Sequence, residues 1–212
     1  MRLPLFPLQS VFFPGEKVPL HIFEERYKQL ITDCRDEAMS FGTPVYIDNT
    51  LSYGTELELE EIITSYDNGT LDVMCVARRA FKMITFDNRM GDKLYAGGVV
   101  AFLDNIEDGL LEQKEEIIGL IGELYSLMNV PFAGIPITDY NSYTLAHKIG
   151  LSLAQEHQLL QLQYEKERFS FIKAHLTTTI TVLKQVSRTK EIIELNGHFK
   201  NFDPLDFKDF EL

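Results

Sequence analysis

The densest polar cluster beside an apolar run is His21-Ile22-Phe23-Glu24-Glu25-Arg26. An imidazole next to carboxylates is the raw material of a general base, or of an anchor for a bound group. The same residues, His21, Glu24 and Arg26, also describe a satisfied polar network where a strand hands over to a helix. That structural reading is the stronger one, because buried polar groups need partners and such a network locks one packing. The chemical reading requires an open pocket lined by His21.

No other arrangement in the chain suggests chemistry. There is no G-x-x-x-x-G-K-[ST] to cradle phosphates, no G-x-S-x-G elbow and no H-E-x-x-H. Glu156-His157 lacks the second histidine a turn later. The five histidines, at 21, 147, 157, 175 and 198, show no zinc-ligand spacing. Glu60-Glu61 and Glu115-Glu116 read as solvated faces. Neither a metal site nor a cofactor is expected, and the chain reads as a non-enzyme.

The totals agree with a globular protein. The 212 residues suit one large domain or two small ones, with 45% hydrophobic and 25% charged residues. No run reaches the roughly 18 apolar residues that span a bilayer. Pro4, Pro7 and Pro14 interrupt the apolar start, so it does not read as a signal peptide. The net charge of −12 repels phosphate backbones and argues against general nucleic-acid binding. Arg78-Arg79 with Lys82 is the best basic patch, and it sits within a strand-like run. Cys34 and Cys75 read as reduced, packed thiols, which suits the cytoplasm.

The elements that must position these residues fall into two halves. Leu3–Phe13 and Lys17–Phe23 look extended, and Pro14-Gly15 suits a type II turn that lets them pair. Tyr27, Leu30, Ile31 and Cys34 predict a helix over 23–36. Strands are predicted over 42–47, 55–64, 71–77, 82–86 and 93–103, with a hairpin turn at Asp67-Asn68-Gly69. Gly97-Gly98 allows a bulge or sharp curvature.

After Asp108 the pattern turns helical: 110–128, then a Pro/Gly loop over 130–137, then 141–149. A capping box at Ser152–Gln155 opens another helix, and a long one runs over 164–195 until Asn196-Gly197. Phe169, Ile172, Leu176, Ile180 and Leu183 form one apolar stripe on it. Strands first and helices second argue α+β, with residues 1–108 β-rich, 109–198 helical and 199–212 a phenylalanine-rich tail expected to dock on the body.

The start of the chain carries a resemblance. Leu3-Pro4-Leu5-Phe6-Pro7-Leu8, Phe13-Pro14-Gly15, Pro19-Leu20-His21-Ile22-Phe23-Glu24 and Arg26-Tyr27 resemble the Lon amino-terminal, substrate-binding domain family in its stand-alone bacterial form. Phe41-Gly42, Gly54-Thr55, Asp67-Asn68-Gly69, Arg78-Arg79-Ala80-Phe81 and the run from Tyr95 to Asp104 continue it. The resemblance implies a PUA-like curved β-barrel followed by an α-helical bundle with one long helix. In Lon proteases this domain recognises and holds protein substrates, and ATPase and Ser-Lys protease domains follow it. Neither a P-loop nor a protease serine motif occurs in these 212 residues.

The expected function is therefore a protein-binding module that engages unfolded segments or a protein partner. Its candidate groove residues are Pro19, Leu20, His21, Phe23, Tyr27, Phe41, Pro131 and Phe132. The alternatives are a small-molecule binder or enzyme built on His21, Glu24 and Arg26, and an RNA binder by analogy with other PUA-like folds. No nucleic-acid or membrane partner is expected, and oligomeric state is left open.

Overall fold

The computed structural model describes residues 1–199, so the expected docking of the tail lies outside the described residues. The chain forms a six-stranded ring-like sheet followed by helices. The strands are β1 (Arg2–Leu5), β2 (Lys17–Ile22), β3 (Phe41–Ile47), β4 (Thr50–Ser65), β5 (Leu71–Asp87) and β6 (Ala96–Phe102). Helix α1 (Glu25–Glu37) sits between β2 and β3; α2 (Leu111–Leu127), α3 (Leu153–Gln161) and α4 (Glu165–Phe199) follow the sheet.

The strand order is β2-β5-β4-β3-β1-β6, and β6 pairs back onto β5 to close the ring. Closure needs a strand long enough to serve both sides. β5 has 17 residues: its first part pairs with β2 and its last part, Phe81–Asp87, with β6. The sequence suggests two strands over this stretch; they are one strand, because the ladder with β4 shifts register between Ala77 and Ala80 but resumes at Ala80, Phe81 and Lys82.

The ring interior is tight. Leu3, Leu5, Phe81 and Val100 fill it. A methyl group on Gly54 would collide with the Thr43 carbonyl and Pro44, and one on Gly98 with the Thr85 carbonyl. Strands crossing this closely admit only glycine there. No bulge falls at Gly97-Gly98, which pair in register with Asp87 and Phe86; the register shift in this ladder lies on β5 between Met83 and Thr85, opposite Val100 and Val99.

Two turn expectations need correction. Pro14-Gly15 does form a tight turn, with Gly15 at φ 95° and the Glu16 N–H donating to the Phe13 carbonyl. It does not join a hairpin: β1 pairs with β3 and β6, and β2 pairs with β5. Gly15 and Glu16 instead exchange hydrogen bonds with Ala77, which ties the turn to β5. At the β4–β5 hairpin, left-handed φ falls on Gly69 alone. Its N–H donates to the Tyr66 carbonyl, so Asp67-Asn68 are the turn centre and Gly69 is the residue after it.

Three hydrophobic clusters result. One lies under α1, where Tyr27, Leu30, Ile31 and Cys34 pack on Val73, Cys75 and Phe6. The ring interior is the second. The third joins the helices to the sheet: Val11, Phe13, Val45 and Ala80 pack with Ile117, Ile121, Tyr143, Leu160, Phe169 and Leu176. The α4 stripe faces this cluster as its spacing predicts, with Phe169, Ile172, Leu176 and Ile180 buried. α4 continues through Asn196-Gly197 to Phe199, past the expected stop. The helix expected over 141–149 is absent. Turns and one 3-10 turn at Ala146–Lys148 stand in its place; Asn141 caps the first of them, its side chain accepting from the Tyr143 and Thr144 N–H groups as a helix N-cap would.

The sheet and helices are tied by one guanidinium. Arg168 on α4 is 1% exposed. It donates to Ser142 Oγ (2.7 Å), to the Leu162 and Gln163 carbonyls (both 2.9 Å) and to Asn105 Oδ1 (2.8 Å). Its guanidinium carbon lies 4.7 Å from the Tyr143 ring centroid. The segment leaving β6 is held beside it, as Ile106 and Tyr164 form a parallel bridge. Asp108 accepts the Lys166 N–H at the start of α4. Replacing Arg168 by Met should cost about 3–5 kcal/mol, since four acceptors lose their donor in a dry site. Arg168→Lys should recover less than half, because a point charge cannot span them. Urea unfolding of the three proteins measures this, and a loss below about 1 kcal/mol would show that the knot is dispensable.

Candidate functional site

The structure separates the cluster from which the sequence reading began. His21 points out of the sheet, and its Nδ1 lies 2.6 Å from Asp72 Oδ1, its cross-strand neighbour on β5. The Tyr66 hydroxyl donates to the other Asp72 oxygen at 2.6 Å. Glu24 pairs with Arg26 instead, at 2.8 Å. The expected His21–Glu24–Arg26 network is therefore two unconnected surface pairs. Strand register, which sequence spacing does not disclose, gave His21 its partner 51 residues away. The two hydrogen bonds hold the Asp72 carboxyl below its usual range, Tyr66 first and His21 second.

The eight groove residues do not share one groove. Tyr27 and Phe41 are core: Tyr27 stacks on Phe6 with centroids 3.7 Å apart, and Phe41 lies beside the same ring. Leu20 is half-buried against that cluster. Phe132 packs on Tyr125 of α2, and Pro131 next to it is exposed. Phe23 is 63% exposed and, with His21 and the 45% exposed Tyr66, makes a small aromatic patch. Pro19 is exposed on β2 and lines a groove.

That groove, about 600 Å³, lies between the amino-terminal segment and the helical part. Val11, Phe12, Val18, Pro19 and Leu153 supply its apolar wall. Its charged floor is Glu16, His147 and Glu156. His147 donates Nε2–H to Glu16 at 3.0 Å and Nδ1–H to Glu156 at 2.7 Å, while its ring lies 4.9 Å from Phe13. The Glu16 hydrogen bond, joined by that of Glu156, overcomes burial and lifts the imidazolium to about 9. A histidine with both nitrogens committed to carboxylates has no lone pair to take a proton from Ser10, which also lines the groove. The triad-like composition is therefore a clamp across the groove floor. Glu16 and His147 are 131 residues apart, so nothing local in the sequence announces them.

The two arginines of the Arg78-Arg79-Lys82 patch are equally committed. Arg79 makes a two-pronged contact with Glu56 (2.8 and 3.2 Å) and lies over the Phe102 ring; Arg78 pairs with Glu58. Burial acts to raise the Glu56 carboxyl, but Arg79 and Ser40 outweigh it and hold it below the usual range. Among the described residues no group of histidine, cysteine or carboxylate side chains is placed to hold a metal ion, and no helix is long and apolar enough to cross a membrane. Cys34 and Cys75 are both buried free thiols, and burial pushes each up to about 12.

The sequence model of the ATP-dependent protease La (LON) substrate-binding domain matches residues 2–192. The chain belongs to this family. A Lon N-terminal domain protein from Xanthomonas campestris is similar in structure, with a TM-score of 0.59 and 28% identity over 82% of this chain and 98% of that one. The N-terminal domain of a Mycobacterium avium complex Lon protease gives a TM-score of 0.63 at 15% identity, covering 84% of this chain and 98% of that one. No curated protein matches the chain. The α+β architecture read from the sequence is thus that of the LON substrate-binding domain, and the matched residues include no ATPase or protease domain.

The His147 clamp makes stability depend on pH. A folded-state value raised above the unfolded 6.5 contributes fully below about pH 6.5 and is lost as pH rises through about 9. The ring is 37% exposed, so solvent screening limits the contribution to about 1–2 kcal/mol. Urea midpoints for the native chain should fall between pH 6.5 and 9.5, and His147→Gln should flatten that segment of the profile. An unchanged slope in the variant would remove the clamp as its cause.

Proposed function

We propose that this chain is a non-catalytic protein-binding module that engages unfolded segments or a protein partner. The observation that carries the reading is membership of the LON substrate-binding domain family over residues 2–192. The surface agrees in kind. It offers an apolar-walled groove and an exposed aromatic patch, while His21, His147, Arg26, Arg78 and Arg79 are each paired with a carboxylate. Affinity would then come from apolar burial and backbone pairing, with loose sequence selectivity. A net charge of −12 favours basic, apolar clients.

The same charge opposes phosphate, and Arg78 and Arg79 are each spent on a glutamate, so no observation favours RNA. His21 lies outside the groove, which leaves the small-molecule alternative without a pocket at that residue. A cytoplasmic setting and action alongside a separate Lon protease belong to this reading as proposals.

A reduced, carbamidomethylated test protein that stays unfolded in buffer should bind with a Kd of about a micromolar by fluorescence anisotropy, and the same protein in its native form should bind at least about tenfold more weakly. Equal affinity for both forms would point to a folded partner. No binding to either form, together with saturable binding of a small metabolite, would overturn the reading.

A further inference from the structure

The sheet closes along only part of its longest strands. β3 has 7 residues and β4 has 16, and their ladder ends at Phe41 opposite Leu57. Beyond that point β4 pairs only with β5, and β5 in turn with β2, so the three strands form a wing outside the ring. Among the described residues, no strand and no side-chain hydrogen bond serves the outer flank of residues 58–65. An unpaired flank of this length is a template for another strand. The opposite flank of the wing is β2, which carries Pro19. Ala77 bonds to Gly15 and Glu16, and alternation from that pair turns the Pro19 nitrogen, which has no hydrogen, to the free side. β4 is therefore the edge able to accept a strand.

A pocket of about 400 Å³ opens beside this edge, between β4 and the end of α1. Cys34, Met39, Leu59 and Ile62 give it apolar walls. Its rim carries Glu58, Glu60, Glu61 and Arg35; Glu58 is paired with Arg78 and Glu60 with Lys17. Arg35 is already paired with Asp36, and Glu61 has no ion-pair partner among the described residues. Ile63, 52% exposed, stands further along the same edge.

These features choose the occupant. A second copy pairing antiparallel along this edge would bring the Glu58–Glu61 segments of both chains side by side, with Glu61 of each lacking an ion-pair partner among the described residues, and like charges so placed are destabilising. A basic, extended segment meets complementary charge, offers backbone donors and acceptors, and can seat one apolar side chain in the pocket. We propose that residues 58–65 of β4 capture an extended basic–apolar segment of a client protein by strand addition, with one apolar side chain held between α1 and β4. This rests on the protein-binding reading above and assigns it a place.

The probe is the capped peptide acetyl-Lys-Val-Lys-Leu-Lys-Val-Lys-amide, with two relatives: one bearing Glu for every Lys, and one N-methylated at alternate residues to block pairing. Amide chemical shifts of the labelled full chain should move at residues 58–65 and 34–39. The N-methylated and acidic peptides should each bind about tenfold more weakly, and Glu61→Lys should weaken the basic peptide about fivefold. Circular dichroism verifies that the variant is folded, and shift mapping on the native chain needs no variant. Shifts centred on the groove beside His147 or on Phe23 and Tyr66, or indifference to N-methylation, would overturn the edge and leave the protein-binding reading intact. Absence of peptide binding, with the unfolded test protein still bound, would do the same. Failure of both ligands would overturn both.

Discussion

A guanidinium with no water around it must find acceptors for its donors, and Arg168 finds them in three separate stretches of chain. Asn105 belongs to the segment leaving the sheet, Ser142 to the irregular stretch after α2, and the Leu162 and Gln163 carbonyls to the approach to α4. Satisfying one side chain fixes all three relative to each other. The apolar cluster around Phe13, Tyr143 and Phe169 packs onto that frame. Apolar burial is non-directional and supplies the stability. The hydrogen bonds of a buried charge are directional and select one arrangement.

The same contrast between closure and reach organises the sheet. A ring this narrow has room only where Gly54 and Gly98 let backbones approach, and it leaves β4 and β5 too long for their partners. The surplus becomes the wing. Its register shifts, at Leu59–Glu61 and Ile62–Thr64, twist the edge without ending it. A closed barrel has no edges; this one keeps an open edge, and the glutamates along it deter self-pairing.

Charge is distributed with similar economy. Glu56, Glu58 and Glu60 answer Arg79, Arg78 and Lys17, while Glu16 and Glu156 answer His147. Most of the cations in the sheet region are thereby neutralised locally, and the excess of acid is left facing solvent. An acidic surface of this kind attracts basic segments at a distance, and the apolar walls of the grooves act only at contact.

The order of elements was legible because it follows from local periodicity: the α1 face of Tyr27, Leu30, Ile31 and Cys34, the Ser152 capping box and the α4 stripe each depend on residues within a few positions. Family membership was legible for the same reason, since the Pro, Gly and aromatic letters of the first 27 residues stand in fixed order. What joins distant positions was not. His21 sits beside Glu24 in the chain and beside Asp72 in space; His147 meets Glu16; Arg168 meets Asn105. Over 141–149 the N-cap signal of Asn141 was legible and is made, but the turn it opens continues as 3-10 and not as an α-helix. Sequence by itself determined which segments become strands and helices, through steric and hydrophobic preferences that act over a turn or two. Strand register, ring closure and the pairing of buried charge were decided only by the tertiary structure, because each is a property of two segments brought together and neither segment carries it alone.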